Sequence, residues 1–507
     1  MELNVPIFPL LLQYRLLNAL TTTTYFQPDE FWQALEPAHD LVYGYGYLTW
    51  EWKDGLRSIA HPMVFAAVYW VSEFLNLGDT GVIYGPKLLQ ALFASVADYA
   101  VFKFAQKYYG QQVAQLTLMC TVTSAFNYFV SVRTFSNSLE MMLLICALNY
   151  WPLDERTGQV NILEYAIALL LGAIACVLRP TNALIWSYLG VELTVRQRSF
   201  KLVAIAGAIG TITLAFNGLL DIWYYQRLTF PLYTFLKFNI VESLSSFYGV
   251  NRKAYYFVEA LPQLLTVYLP FFFHGIYVSR SSTLAHSSIF VVFVYSLISH
   301  KEVRFIFPLL PIFHIFAAIS LSRLRILFRT TLKWIFIAFL VLVNVPLALY
   351  ASTIHQRGVV DVTSYIRTTP SITSVGFLMP CHSTPWMSHM HRPDATAWFL
   401  TCEPPRNLSP SEISAYRDEA DQFYDDPELF LRMHFPALKG NETEISMFRY
   451  DWPSHLVVFG ALEEMLISYV GNAYVECERF FNSHVHEDPR RRGDVIVFCK
   501  NNDVNRL

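Results

Sequence analysis

The sequence predicts an α-helical polytopic membrane protein of about 11–13 transmembrane helices, followed by a soluble α/β domain. Three observations carry this. Of 507 residues, 54% are hydrophobic, 16% aromatic and only 15% charged, a balance unlike that of a soluble globular chain. Up to residue 351 the apolar residues come in runs of roughly 17–22, enough to cross a bilayer as a helix that satisfies its own backbone hydrogen bonds. From Ser352 onward, charges, prolines and short apolar runs alternate, as in a soluble domain.

Candidate spans fall near 5–22, 62–77, 84–105, 111–130, 138–152, 163–178, 181–195, 202–220, 256–278, 285–299, 304–321 and 334–351. In the first, Arg15 and Asn18 share a helix face about one turn apart. An intramembrane arginine faces a partner or polar cavity, or else snorkels to the interface. As a cleaved signal peptide this stretch fits poorly: no Lys or Arg precedes it, Arg15 interrupts it, and no small-x-small site follows. Two basic clusters, Arg196 to Lys201 and Arg323 to Lys333, set the cytoplasmic side. The 221–255 loop, the turn Ser299 to Phe305 and residues 352–507 then lie on the other side, with the first loop, 23–60. Counting from the front, the parity slips by one between Ala60 and Leu139. One segment there, 62–77 or 111–130, is expected to be re-entrant or split.

The expected modules are thus 1–351 and 352–507. In the second, "SVGFLM", "AWFLTC", "HLVVFG" and "DVIVFCK" read as strands, and Ser409 to Tyr424 as a helix capped by Ser409 or Ser411. Asn407 and Asn441 head glycosylation sequons, and Cys381, Cys402, Cys477 and Cys499 lie in the same region. An even cysteine count beside sequons fits an oxidising lumen, with three pairings open and no zinc-type spacing. Cys120, Cys146 and Cys176 lie in spans and read as small core residues. There is no internal repeat and no phosphate-binding glycine loop, and a net charge of −3 with no basic face outside the cytoplasmic loops argues against nucleic acid as a partner.

The first loop concentrates the chemistry. Pro28 suits the first position of a helix, with Asp29 and Glu30 in its electropositive first turn. Asp29, Gln33 and Glu36 then fall at i, i+4 and i+7, on one face beside Trp32, and Pro37 ends or kinks the helix. A simple helix start needs one such carboxylate; a polar stripe suggests a site. Arg57, Arg133, Arg179 and the group His300, Lys301 and Arg304, with Glu302 among them, sit at other span ends. Each suits an interfacial anchor. Together with an acidic loop they suit group transfer from a phosphate-linked lipid, the cations holding phosphate while a carboxylate takes a proton from a hydroxyl. Trp50 and Trp52 suit the interfacial belt or a sugar face.

"YFQPDEFWQALEPAHDLVYGYGYLTWEW", "RTFSNSLE", "LRPTNALIW", "DIWYYQRLTF", "FLKFNIVESLSSFYG", "HKEVRFIFPLLP" and "LMPCHSTPW" occur in this order along the chain. With them the sequence resembles the multispanning mannosyltransferases of the endoplasmic reticulum that use dolichyl-phosphate mannose, and within these the branch that builds the GPI anchor precursor. "PDE" and "HKE-RF" mark the wider family; "GYGYLTWEW", "SSFYG" and "MPCHSTPW" mark the branch. Gln27 stands where His or Asn is expected, and Gln226 where Gly is expected.

The resemblance implies a GT-C glycosyltransferase fold with the catalytic acid residue in the first luminal loop. It implies addition of the third mannose of the GPI precursor in α-1,2 linkage, by an inverting step in the lumen. Asp29 is then the base, with Glu30 its nearest rival, since the two point about 100° apart on a helix. His300, Lys301 and Arg304, with Arg133 and Arg179, are the candidates for the donor phosphate. Trp50, Glu51 and Arg57 are assigned to the acceptor pocket, and Glu302 orients Lys301 or Arg304 and is a second candidate base. No cofactor, metal ion or obligatory protein partner is expected; the partners are the donor lipid and the GPI precursor glycolipid. A sister enzyme adding the fourth GPI mannose or an N-glycan mannose would differ in its acceptor. A lipid transporter or scramblase would be expected to show repeated halves, which are missing.

Overall fold

The computed structural model describes residues 6–153, 160–241, 247, 249–324, 330–405, 408, 410–438 and 448–501. The sequons at Asn407 and Asn441 lie outside these residues, as does part of the basic stretch Arg323 to Lys333. The chain forms two units, one of Met1–Thr22 with Glu51–Ser352, the other of Thr23–Trp50 with Thr353–Leu507. The loop segment Thr23–Trp50, assigned by sequence to the first module, therefore belongs to the second unit. Contiguity along the chain concealed this; the contacts that decide it join residues some 350 positions apart.

In the first unit every candidate span holds helix: Ile7–Thr21, Ala60–Phe74, Gly78–Tyr109, Gln111–Thr123, Ser136–Tyr150, Ile162–Leu178, Ala183–Gln197, Phe200–Tyr225, Tyr256–Val278, Thr283–Leu297, Leu310–Leu324 and Thr330–Thr353. Among the described residues four helical stretches are long and apolar enough to cross a membrane: Gly78–Tyr109, Phe200–Tyr225, Tyr256–Val278 and Trp334–Thr368. Phe200–Tyr225 turns much of its apolar surface outward, Phe216 being 71% exposed, which suits a lipid-facing helix. Where Leu269–Val278 crosses Leu310–Leu324, a side chain at Gly275 would meet the Phe316 carbonyl oxygen at 1.8 Å, so the approach requires glycine.

The split expected between Ala60 and Leu139 falls at Ser124. There the helix stops in extended backbone and restarts as Ala125–Val130, the Ser124 hydroxyl oxygen accepting from Asn127 N. Asn127 Nδ2 donates to Thr121 O at 3.1 Å, using a carbonyl freed by the break. The 62–77 segment is one helix, Ala60–Phe74. Arg15 is 0% exposed, so it does not snorkel. It donates to both Asp98 oxygens at 2.6 and 3.0 Å, and to Asn18 Oδ1 at 2.9 Å, a bidentate pairing that supplies the partner a buried guanidinium needs.

The second unit is built on a five-stranded sheet of order β2-β1-β3-β5-β4, with β1 Ser374–Phe377, β2 Thr396–Phe399, β3 His455–Phe459, β4 Tyr474–Phe480 and β5 Val495–Lys500. β1 pairs in parallel with β2 and β3, while β5 runs antiparallel to β3 and β4. Four of these strands were expected. β4 was not: it is an edge strand exposed over most of its length, so it carries no apolar alternation to read. Leu378, Leu400, Phe423, Leu456, Ile496 and Phe498 fill the core. The helix expected over Ser409 to Tyr424 is two, Pro410–Ala415 and Glu419–Asp425, because Asp418 starts a new one by accepting from Asp421 N. Disulfides join Cys381 to Cys402 and Cys477 to Cys499; Cys120, Cys146 and Cys176 are free.

Candidate active site

The acidic stretch begins as expected. Phe31 N and Trp32 N both donate to Pro28 O at 2.9 Å, so the helix starts at the proline with Asp29 and Glu30 in its first turn. It then departs from the α pattern. Phe31–Leu35 is a π-turn, with Glu36 N bonded to Phe31 O, and the helix runs on through Pro37 to Tyr43. A wider turn just upstream accommodates the proline ring that would otherwise clash with the preceding carbonyl. The extra residue disrupts the expected Asp29, Gln33, Glu36 stripe. Asp29 is half-buried, Glu30 buried and Glu36 wholly enclosed at 0% exposure.

This helix lies against the "PCHSTPWMSHMH" turn of the same unit. Tyr25 Oη donates to His382 O at 2.5 Å, and Trp32 Nε1 to Thr384 O at 3.1 Å. Trp32 also contacts the rings of His382, Trp386 and Phe399. Glu36 Oε1 accepts from Ser388 N at 2.6 Å. His39 Nδ1–H donates to Tyr45 O at 3.0 Å, and its Nε2 lies 2.8 Å from His391 Nδ1. Burial pushes the Glu36 carboxyl up to about 7 and the His39 imidazole down to about 3. Burial likewise lowers His382 to about 4, with the Asp29 charge acting in the opposite sense. Trp50, expected at the acceptor, is buried at 6% exposure.

In the helical unit the candidate arginines Arg57, Arg179 and Arg304 each face a glutamate. Arg57 meets Glu51 Oε1 through Nη2 at 2.8 Å and Nε at 3.2 Å. The end of Phe200–Tyr225 fixes this segment: Tyr225 Oη donates to Arg57 O at 2.7 Å, and Asp221 Oδ1 accepts from Ser58 Oγ and Ile59 N at 2.8 and 3.0 Å. Arg179 Nε lies 3.7 Å from Glu140 Oε2. Arg304 grips Glu302 with two bonds, Nε to Oε2 at 2.6 Å and Nη2 to Oε1 at 2.8 Å. Arg179 and Arg304 flank the same ring, 5.5 and 5.8 Å from the Phe305 centroid, and Arg57 and Arg304 are both near enough to repel the Arg179 charge.

His300 Nε2 is 3.0 Å from Glu302 Oε1, and its Nδ1–H donates to Gly249 O at 2.9 Å. Burial works against the imidazolium, but Glu302 outweighs it and raises the His300 pKa. Burial also works to raise Glu302, yet Arg304 and His300 hold its carboxyl far below the usual range. So firmly ionised a carboxylate is a weak base, which leaves Glu302 suited to orienting Arg304. Lys301 Nζ donates to Asn251 O at 3.0 Å, bracing the neighbouring loop. Arg133 donates to Phe129 O at 2.8 Å and stacks on the Phe129 ring.

The structure thus gathers Arg57, Arg179 and Arg304, while Asp29, Glu30 and Trp50 belong to the other unit. Sequence reasoning passed over Glu140, whose Oε1 accepts from Asn182 Nδ2 at 2.8 Å, although a glutamate within an apolar span is itself a signal. It placed Glu36 only on the polar stripe and gave no role to His39 and His391, which lie 352 positions apart in sequence.

Residues 6–391 match the model of the Alg9-like mannosyltransferase family. The chain is 47% identical over 495 residues to GPI mannosyltransferase 3 of Yarrowia lipolytica, covering 96% of this chain and 95% of that protein. It is 41% identical over 503 residues to GPI mannosyltransferase 3 of Candida albicans, covering 98% of each. Among solved structures, ArnT from Cupriavidus metallidurans in the apo state aligns with a TM-score of 0.56 at 12% identity, over 98% of both chains. The fold is that of the GT-C membrane glycosyltransferases, and the chain belongs to the Alg9-like mannosyltransferase family.

Proposed function

We propose that this membrane-embedded glycosyltransferase moves mannose from dolichyl-phosphate mannose to the second mannose of the GPI anchor precursor, adding the third in α-1,2 linkage. The observation that carries the reading is the near-full-length likeness to GPI mannosyltransferase 3 of two yeasts. The chemistry of the residues supports it. In the proposed step the acceptor 2-hydroxyl oxygen attacks the anomeric carbon, and the bond from that carbon to the phosphate oxygen breaks with inversion. Dolichyl phosphate leaves with the electron pair, and the hydroxyl proton passes to Asp29. The phosphate gains a negative charge as the bond breaks, so fixed guanidinium groups bind the transition state more tightly than the ground state. Arg304 and Arg179 are assigned that role, His300 and Glu302 hold Arg304 in place, and Arg57 and Glu51 are assigned to the acceptor.

The reaction needs no nucleotide, metal ion or second protein in this reading. In this reading the enzyme works in the endoplasmic reticulum membrane with its working face in the lumen, and the two disulfides, which persist in an oxidising compartment, support a luminal sheet unit. The test is one assay: purified chain with labelled dolichyl-phosphate mannose and a two-mannose GPI acceptor. A three-mannose product sensitive to α-1,2-mannosidase is expected. Transfer only to a three-mannose acceptor or an N-glycan precursor would replace the acceptor assignment, and lipid movement without transfer would replace the enzyme reading.

A further inference from the structure

We propose that Glu36 is a positioning residue for the transfer, locking the helix that carries Asp29 onto the turn at 382–391 and so selecting Asp29 over Glu30. This rests on the reading of a first-turn carboxylate as the base. Three side chains of the helix reach the turn in chain order, Trp32 to Thr384, Glu36 to Ser388 and His39 to His391. Glu36 is the middle anchor and is wholly enclosed. A glutamine would accept the same backbone N–H without burying a charge, so a carboxylate is the costly choice for a mere packing role. What it adds is strength, since a charge-assisted hydrogen bond is about twice as strong as a neutral one.

The π-turn explains why that strength matters. Phe31–Leu35 lies between Asp29 and the anchor. A π-turn holds one residue more than the α-helix prefers, and relaxing it would rotate everything upstream by about 100°, one residue's worth of helix. Asp29 and Glu30 differ in direction by that same angle. An anchor immediately after the wide turn therefore decides which carboxylate is presented.

Gly46, at φ +149°, lies beside Glu36 and Asp40: an added Cβ would stand in ordinary contact, 3.4 Å from Glu36 Oε2 and 3.6 Å from Asp40 Cβ. Asp40 is thus the charged group facing Glu36 across the Gly46 turn. The Tyr47 backbone also bonds to Glu36, and His39 and His391 lie one helical turn farther on.

The experiment measures kcat, donor KM and thermal midpoint for the full chain and for Glu36→Gln, Glu36→Ala, Asp29→Asn and Glu30→Gln, from about pH 5.5 to 8.5. Wild-type kcat is expected to rise as Glu36 ionises through about pH 7. Glu36→Gln is expected to lose that limb and about tenfold to a hundredfold in kcat, with donor KM within about twofold and an unlowered midpoint. Wild-type kcat with the same pH limb in Glu36→Gln would overturn the proposal. So would losses in both Glu36 variants that track a falling midpoint. Asp29→Asn and Glu30→Gln report separately: retained transfer in Asp29→Asn with loss in Glu30→Gln removes Asp29 as the base and overturns the claimed selection, whereas a wild-type-like Glu36→Gln overturns the lock alone.

Discussion

Single residues carry the most direct consequences. Asp29→Asn keeps the size and start of the helix but cannot take up the hydroxyl proton, so transfer should fall by about a hundredfold or more with donor-lipid binding retained; single-turnover kinetics beside a donor-binding assay checks this. Arg304→Ala removes a cation held by two bonds to Glu302, and donor KM should rise by about tenfold or more. Arg304→Lys should recover little, because an ammonium cannot reproduce the forked geometry. Gln226 offers a stability test. It stands where the resemblance expects glycine, and its φ is +52°, a left-handed conformation costing about 1–2 kcal/mol for a residue with a Cβ. Gln226→Gly should therefore raise stability by about 1 kcal/mol, read as a higher thermal midpoint at unchanged transfer rate. At this scale Arg15 was half legible, as an arginine that either meets a partner or snorkels, and its burial against Asp98 decides between the two. Partners such as Asp98 for Arg15 and Asn182 for Glu140 were not legible, because tertiary packing alone brings them together.

The first-loop helix shows the same division one level up. Pro28 and the acids after it announced its start, but the π-turn depends on Pro37 and on anchoring by a distant segment, and no periodicity encodes that. Its buried groups link its stability to pH. His39, lowered to about 3, binds its proton more weakly folded than unfolded, so stability is lost as pH falls below about 6.5. His382, lowered to about 4, acts in the same sense. Glu36, raised to about 7, acts oppositely: the folded state holds its proton better, so stability falls as pH rises from about 4.5 towards 7. The two histidines outnumber the glutamate, and mild acid should lower the thermal midpoint of the sheet unit. His39→Gln with His382→Gln should flatten that acid loss; an equally steep loss in the double variant would show that other groups govern it.

Across the whole chain, the helical spans and most strands were legible, since bilayer length and strand alternation are local signals; charge parity narrowed an interruption to 62–77 or 111–130, and the helix break at Ser124 falls in the second. The assignment of Thr23–Trp50 to the sheet unit was not, nor was the choice among three cysteine pairings. These two findings meet at the 381–391 turn. The Cys381–Cys402 bond closes a separation of 21 residues, which by loop-closure entropy contributes about 3 kcal/mol. Its first cysteine directly precedes His382, whose carbonyl accepts from Tyr25 and whose ring lies on Trp32. Cys477–Cys499 joins β4 to β5, across the sheet from that turn. Removing either bond should lower the midpoint of the sheet unit by a similar amount, since the second closes 22 residues. Only Cys381→Ser with Cys402→Ser should also lower kcat at temperatures where the unit remains folded, because it alone loosens the seat of the Asp29 helix. Equal kcat losses in the two double variants, at matched fractions folded, would mean that the turn supports the fold without orienting the carboxylate.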